Sequence, residues 1–226
     1  MEPHRPLPAS IKKHQSSLQD SPKEYFKKAY AFVKKFHRQE LDFIQSTKFE
    51  KVDEDFFFKE YIWVVYASGF SAKVVSKMHP QLVDAFGYFD QLSQRNFDGV
   101  FDRVKSICKN RQKAKAVHSM AVLMSLKLET QIWDEFKNSE LNSPEKLVKL
   151  PYIGKITCYH LARNIGLLNF VKPDLHLVRM ADHWGCANAV ELCKAVQPKG
   201  MPLGIVDLIF WYAASTFGTI EIKTDR

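Results

Sequence analysis

Residues 150–166, LPYIGKITCYHLARNIG, read as the end of one helix, a four-residue corner and the start of another. Leu150-Pro151 and Ile153-Gly154 supply the corner, Gly166 supplies a stop, and Lys155 sits just past the bend. Such a turn leaves the backbone N–H groups of the corner and of the following helix's first turn without intrahelical partners. Those donors, with the positive end of the helix dipole, suit a phosphate group. Gly154 keeps side-chain bulk away from an approaching backbone, and Lys155 and Thr157 can add contacts. Contacts of this kind fix position on a phosphate chain without reading its sequence. Corners built from Pro and Gly are common, so the weight of this one depends on the rest of the chain.

The full 226-residue sequence sets the bounds, with room for one large domain or two small lobes at roughly 100–200 residues per domain. With 46% hydrophobic and 13% aromatic residues the chain can bury a sizeable core. Only 9 glycines and no runs of alternating β-branched residues favour helices over a sandwich or barrel. Lys and Arg exceed Asp and Glu by 33 to 25, a formal charge of +8, and the pI is near 9.2. That excess suits a polyanion, nucleic acid first and an acidic membrane surface second. The first residues, MEPHRPLPASIKKHQSS, lack the apolar middle of a secretory signal. Asp207 interrupts LGIVDLIFWYAASTFG, so no stretch reaches the roughly 18 uncharged residues of a membrane helix. A soluble, intracellular protein without a membrane partner is expected. Cys108, Cys158, Cys186 and Cys193 are scattered, with no set at metal-ligand spacing, and read as reduced thiols; no metal site is expected.

Residues 1–22 form a tail or surface strap. Ser21-Pro22 then opens a helix, KEYFKKAYAFVKKFHRQELDFI, whose Tyr25, Ala29, Phe32 and Phe36 make one apolar stripe. In FFFKEYIWVVYASGFSAKVVSKMHPQLVDAF two helices are separated near residues 68–71. The first is apolar nearly all round and therefore central. Ser71 caps the second, and Pro80 is expected to limit it. Further helices follow at 97–108, in KNRQKAKAVHSMAVLMSLKLE, in SPEKLVKL, in LHLVRMADHWG, near AVELCKAV, and from about Gly204. The expectation is an all-α chain.

Twenty residues past Gly154 lies KPDLHLVRMADHWG. Asp174 follows a proline and precedes an apolar-periodic helix, the position of an N-cap worth about 1 kcal/mol. A capping carboxylate beside a phosphate-binding hairpin has a second use. It can stabilise the cationic sugar that develops as a base leaves deoxyribose, or orient the attacking water.

Together, LPYIGKITC and PDLHLVR resemble the signature of the helix-hairpin-helix DNA glycosylases, the superfamily of endonuclease III and the adenine and 3-methyladenine glycosylases. Leu150, Pro151, Ile153, Gly154, Thr157, Asp174, His176 and Arg179 all match it, at the separation the family shows. YASGFSAKVV is similar to the family's early helix-turn-helix, KNRQKAKAVHSMA to its basic helix, and DLIFWYAASTFG to its closing helix. The resemblance spans about 200 residues. It implies two helical lobes with a helix-hairpin-helix motif and an active-site cleft between them. Lobe one would cover about 65–165, and lobe two about 23–60 plus 172–226.

The resemblance further implies DNA contacts from Leu150, Tyr152, Gly154, Lys155 and Thr157, with Asp174 as the catalytic carboxylate. Phe70 is the candidate wedge for the vacated base stack, with a core position as its alternative. Tyr66, His160 and Trp211 are candidates for the pocket of a flipped base. Trp63, Trp184 and Tyr212 are further aromatics that either line it or fill the core. Two departures matter. Tyr152 stands where the family has the hairpin's first glycine. Ile156 stands where strand-cleaving members carry a Schiff-base lysine, and isoleucine has no nucleophile. Members with an iron–sulfur cluster use four cysteines; here Val196 and Pro202 occupy the third and fourth places, so no cofactor is expected. The function implied is a monomeric, monofunctional DNA N-glycosylase of base excision repair acting on duplex DNA. Its alternatives are a bifunctional glycosylase/lyase using Lys155 or another amine, and a non-catalytic DNA-binding module.

Overall fold

The computed structural model describes residues 20–217, in which thirteen α-helices and one short 3-10 turn occur and no strand. The helices are α1 (Pro22–Phe36), α2 (Arg38–Ser46), α3 (Glu54–Ala67), α4 (Ala72–Phe86), α5 (Phe89–Ser93), α6 (Phe97–Val104) and α7 (Arg111–Leu128). They continue with α8 (Trp133–Glu140), α9 (Pro144–Leu147), α10 (Thr157–Asn164), α11 (Leu175–His183), α12 (Ala189–Val196) and α13 (Leu203–Phe217). The all-α expectation holds. Most of the expected tail, residues 1–19, lies outside the described residues; Asp20 and Ser21 precede α1 and Pro22 is its first residue.

The described chain divides into two compact units, residues 49–165 and residues 20–48 with 166–217. The boundary differs from the one expected, because residues 49–60 belong with the first unit. The cause is packing: Phe57 and Phe58, near the start of α3, are buried, and Phe57 lies against Trp133 at 5.8 Å.

In the first unit α3 is the central helix. Asp53 caps it by accepting from the Phe56 N–H at 2.8 Å. Tyr61, Ile62, Val64 and Tyr66 have no exposed surface, as its all-round apolar sequence requires. Helices α4, α7 and α10 pack on it, and α5 and α6 pack on α7. Contrary to expectation, α4 runs on past Pro80 to Phe86. Its buried stripe of Val75, Met78, Leu82 and Phe86 continues across the proline, and that burial outweighs the missing helical hydrogen bond. Gly87, at φ 72°, ends it.

The second unit is organised on α13, whose residues 204–210 are all buried and against which α1, α11 and α12 pack. Tyr25, Phe26, Trp184 and Phe210 form an aromatic cluster with centroid separations of 5.4–6.3 Å. The single helix expected over 22–44 is two. His37 departs from helical geometry and stacks on Tyr212 of α13 at 4.1 Å.

Candidate nucleic-acid interface and catalytic carboxylate

The corner that opens the sequence reading lies in the first unit. The Ile153 N–H donates to the Leu150 carbonyl at 3.1 Å, closing a β-turn with Pro151 and Tyr152 as its central residues. Tyr152 adopts φ 63°, the positive value a type II turn needs at that place. From below, the Tyr61 hydroxyl on α3 donates to the Pro151 carbonyl at 2.5 Å. Burial pushes the Tyr61 phenol up, so it remains a donor. Alongside, Asn164 at the end of α10 donates to Glu60 on α3 at 2.8 Å. Burial raises the Glu60 carboxyl, a rise the Asn164 hydrogen bond lessens, and the result is about 7. The corner and the helix after it are thus both tied to the unit's central helix.

Of the hairpin residues singled out from sequence, Leu150 is buried and acts through its carbonyl, while Tyr152, Gly154 and Lys155 are exposed. Thr157 is partly different from expectation. Its hydroxyl accepts from the Gly154 N–H at 2.7 Å, so it shapes the turn from within. The N–H groups of Lys155, Ile156 and Thr157 lie at the start of α10, outside its ladder of hydrogen bonds. A Cβ added at Gly154 would meet only the Thr157 hydroxyl, at 3.8 Å. The chain itself therefore leaves room for a side chain there; the glycine keeps the outer face open.

Phe70 lies between α3 and α4, 41% exposed, just after Gly69 at φ 83°. Tyr66 is fully buried against Phe86 and belongs to the core of the unit. His160 is half-buried on α10. Sequence reasoning missed Lys113. Its chain is buried in α7, and its ammonium donates to the carbonyls of Tyr66, at 3.1 Å, and Ser68. Desolvation lowers its pKa. Within KNRQKAKA nothing distinguishes this lysine from its solvated neighbours.

The second unit holds Asp174, which is the N-cap of α11 as expected. Its Oδ1 accepts from the N–H groups of His176 at 3.0 Å and Leu177 at 3.2 Å. Its Oδ2 is buried without a hydrogen-bond partner, 3.7 Å from the Lys172 ammonium. The loop leading to it is held by α13. Asp207 accepts from the Lys172 N–H at 2.8 Å, and Gly204 donates to the Leu168 carbonyl at 2.7 Å. A Cβ at Gly204 would stand 3.0 Å from the Leu168 carbonyl oxygen and 3.1 Å from that of Phe170, so only glycine permits this approach. The Cys193 thiol lies close by, its pKa raised by burial and by the carboxylates of Asp207 and Asp174. Asp207 was visible in the sequence only as a lone charge in an apolar helix. His176 is half-buried and Arg179 exposed on α11. Trp211, half-buried on α13, meets Tyr212 edge-on at 5.2 Å.

A hollow of about 400 Å³ elsewhere in the first unit is lined by Asp53, Glu54, Asp55 and Asp90 and does not suit a polyanion. Among the described residues, no helix is long and apolar enough to cross a membrane.

The chain has the fold of DNA glycosylases of known structure. No protein-family model and no curated protein sequence matches it. Solved structures do. The 8-oxoguanine glycosylase/lyase of Methanocaldococcus jannaschii, in complex with DNA containing 8-oxoguanine, superposes with a TM-score of 0.58 at 17% identity, over 87% of this chain and 99% of that one. The 8-oxoguanine DNA glycosylase of Thermotoga maritima gives 0.58 at 17% identity, over 89% and 100%. A second structure of the archaeal enzyme gives 0.56 at 15%, over 85% and 94%.

Proposed function

We propose that the protein is a monofunctional DNA N-glycosylase that turns a damaged or modified base out of duplex DNA and hydrolyses its N-glycosidic bond. The observation that carries this is Asp174: a buried carboxylate with one oxygen fixed by two backbone N–H groups and the other without a hydrogen-bond partner. Buried polar atoms are nearly always hydrogen-bonded, so an oxygen faced only by the Lys172 ammonium at 3.7 Å calls for a use.

The hairpin grips the phosphate chain through the N–H groups at the start of α10 and the Lys155 ammonium. Unstacking and flipping expose the sugar. As the C1′–N bond breaks, its electron pair leaves with the base, which takes up a proton. The positive charge left on the sugar is stabilised by the Asp174 carboxylate. Water adds at C1′ and gives up a proton, leaving an abasic site. Ile156, 41% exposed in the hairpin, offers no amine to form a Schiff base with that site. The substrate of the structural neighbours makes 8-oxoguanine the first lesion to try, ahead of alkylated, deaminated and enzymatically modified bases.

The test is base release from a panel of single-lesion duplexes, read by hot-alkali cleavage, with wild type and Asp174→Asn. On the lesion that wild type cleaves, the variant is expected to lose at least about 100-fold in rate, as removal of a charge-stabilising group does. Equal rates would dismiss Asp174 as the catalyst. A covalent adduct with abasic duplex under borohydride would dismiss the monofunctional assignment.

A further inference from the structure

Tyr152 is, among the described residues, the one non-glycine at positive φ. An L-residue there is strained, and glycine would relieve the strain at no steric cost. Nor does the ring serve as core: Tyr152 is 41% exposed. The same fraction of Phe70 is exposed, on a loop some eighty residues earlier in the chain. Both rings meet one cation. The Lys113 ammonium lies 4.7 Å from the Phe70 centroid and 5.9 Å from that of Tyr152. Its bonds to the carbonyls of Tyr66 and Ser68 hold it there, at the end of α3. Neither segment, 68–74 or 150–157, contains an acidic residue, and exposed Lys73 and Lys155 flank the pair.

We propose that Tyr152 is a second base-stacking side chain, which with Phe70 and the Lys113 ammonium makes an aromatic–cation platform for a base left unstacked when a nucleotide leaves the duplex. The inference rests on the glycosylase assignment and deepens it. A nucleobase suits every part of the surface. Its π-face stacks on either ring, each backed by the buried Lys113 ammonium, and its phosphates meet the exposed lysines. Strain at Tyr152 is then the cost of carrying an aromatic ring on the turn that touches the phosphate chain.

The test compares two duplexes, one intact and one with a tetrahydrofuran abasic analogue opposite 2-aminopurine. Affinity and 2-aminopurine fluorescence are measured for wild type, Tyr152→Gly, Tyr152→Asn and Tyr152→Phe. Asn tolerates positive φ without a ring, and Phe keeps the ring. Gly and Asn are expected to raise Tm while cutting the preference for the gapped duplex about 5- to 100-fold, the range of one lost stacking contact. Their complexes also lose the quenching of 2-aminopurine, and Phe matches wild type in all three measurements. A falling Tm in the Gly variant, or an unchanged preference, overturns the platform while leaving the glycosylase assignment standing. If wild type does not itself prefer the gapped duplex, the failure lies with that assignment, and the platform falls with it.

Discussion

Glu60→Gln tests how the hairpin's support is built. Glu60 lies on α3 with 9% of its surface exposed, and its carboxylate accepts from Asn164 at the end of α10. Burial pushes its pKa from 4.5 to about 7, against the opposing effect of the Asn164 hydrogen bond. Between those values the folded chain keeps a proton that the unfolded chain has released. Stability therefore falls as pH rises through this window and levels off above 7. At about 1.36 kcal/mol per pH unit the loss is on the order of 3 kcal/mol. Glutamine keeps an acceptor for Asn164 and carries no charge, so the variant should be free of this slope.

Because the chain has two units, the assay should read the first alone: hydrogen exchange of α3 and α10 amides, at about pH 4.5 and about pH 8. Variant and wild type are expected to agree at the acid end within about 0.5 kcal/mol. At the alkaline end the variant should be the more stable by on the order of 2–3 kcal/mol. Other titrating groups cancel in the difference between the two proteins. A difference that is the same at both pH values would show that the carboxyl ionises in place without penalty, and would refute the reasoning.

Two more substitutions separate folding from function. Gly154→Ala meets only a van der Waals contact at 3.8 Å, so thermal unfolding should move little; duplex affinity should nonetheless fall about tenfold, because the added methyl stands between the hairpin and the phosphates. Asp207→Leu strips the acceptor from the Lys172 N–H; urea unfolding should show a loss of about 1–3 kcal/mol, and base release should slow as the Asp174 loop loosens.

The hairpin and Asp174 were legible because local backbone geometry dictates residue type at fixed offsets. Pro151 presets the turn, Gly154 opens it, and Asp174 caps the helix that follows. The parts that sequence missed depend on partners distant in the chain. The apolar stripe of α1 gives no sign of the break at His37, because Tyr212 of α13 takes the imidazole. Pro80 reads as a stop until the burial of Met78 and Leu82 on either side of it is known. Lys113 is one cation among several until the fold aims it at the end of α3. Asp207 bonds a backbone N–H, which leaves no trace in residue identity at position 172.

A cap and a catalyst would make different demands on Asp174. Capping α11 takes one acceptor, which Asn or Ser provides about as well as Asp. A second carboxylate oxygen, buried without a hydrogen-bond partner and 3.7 Å from the Lys172 ammonium, goes beyond what the helix start requires. Tyr152 shows the same excess, since glycine satisfies its turn better than tyrosine does. Neither feature is required by the cap or the turn that carries it, as a role in catalysis or binding would leave them. The two demands also predict opposite results for one substitution. Asp174→Asn should keep the cap, leave its unit folded, and slow base release at least about 100-fold. If it instead unfolds the unit while sparing catalysis in what remains folded, Asp174 is a cap and nothing more.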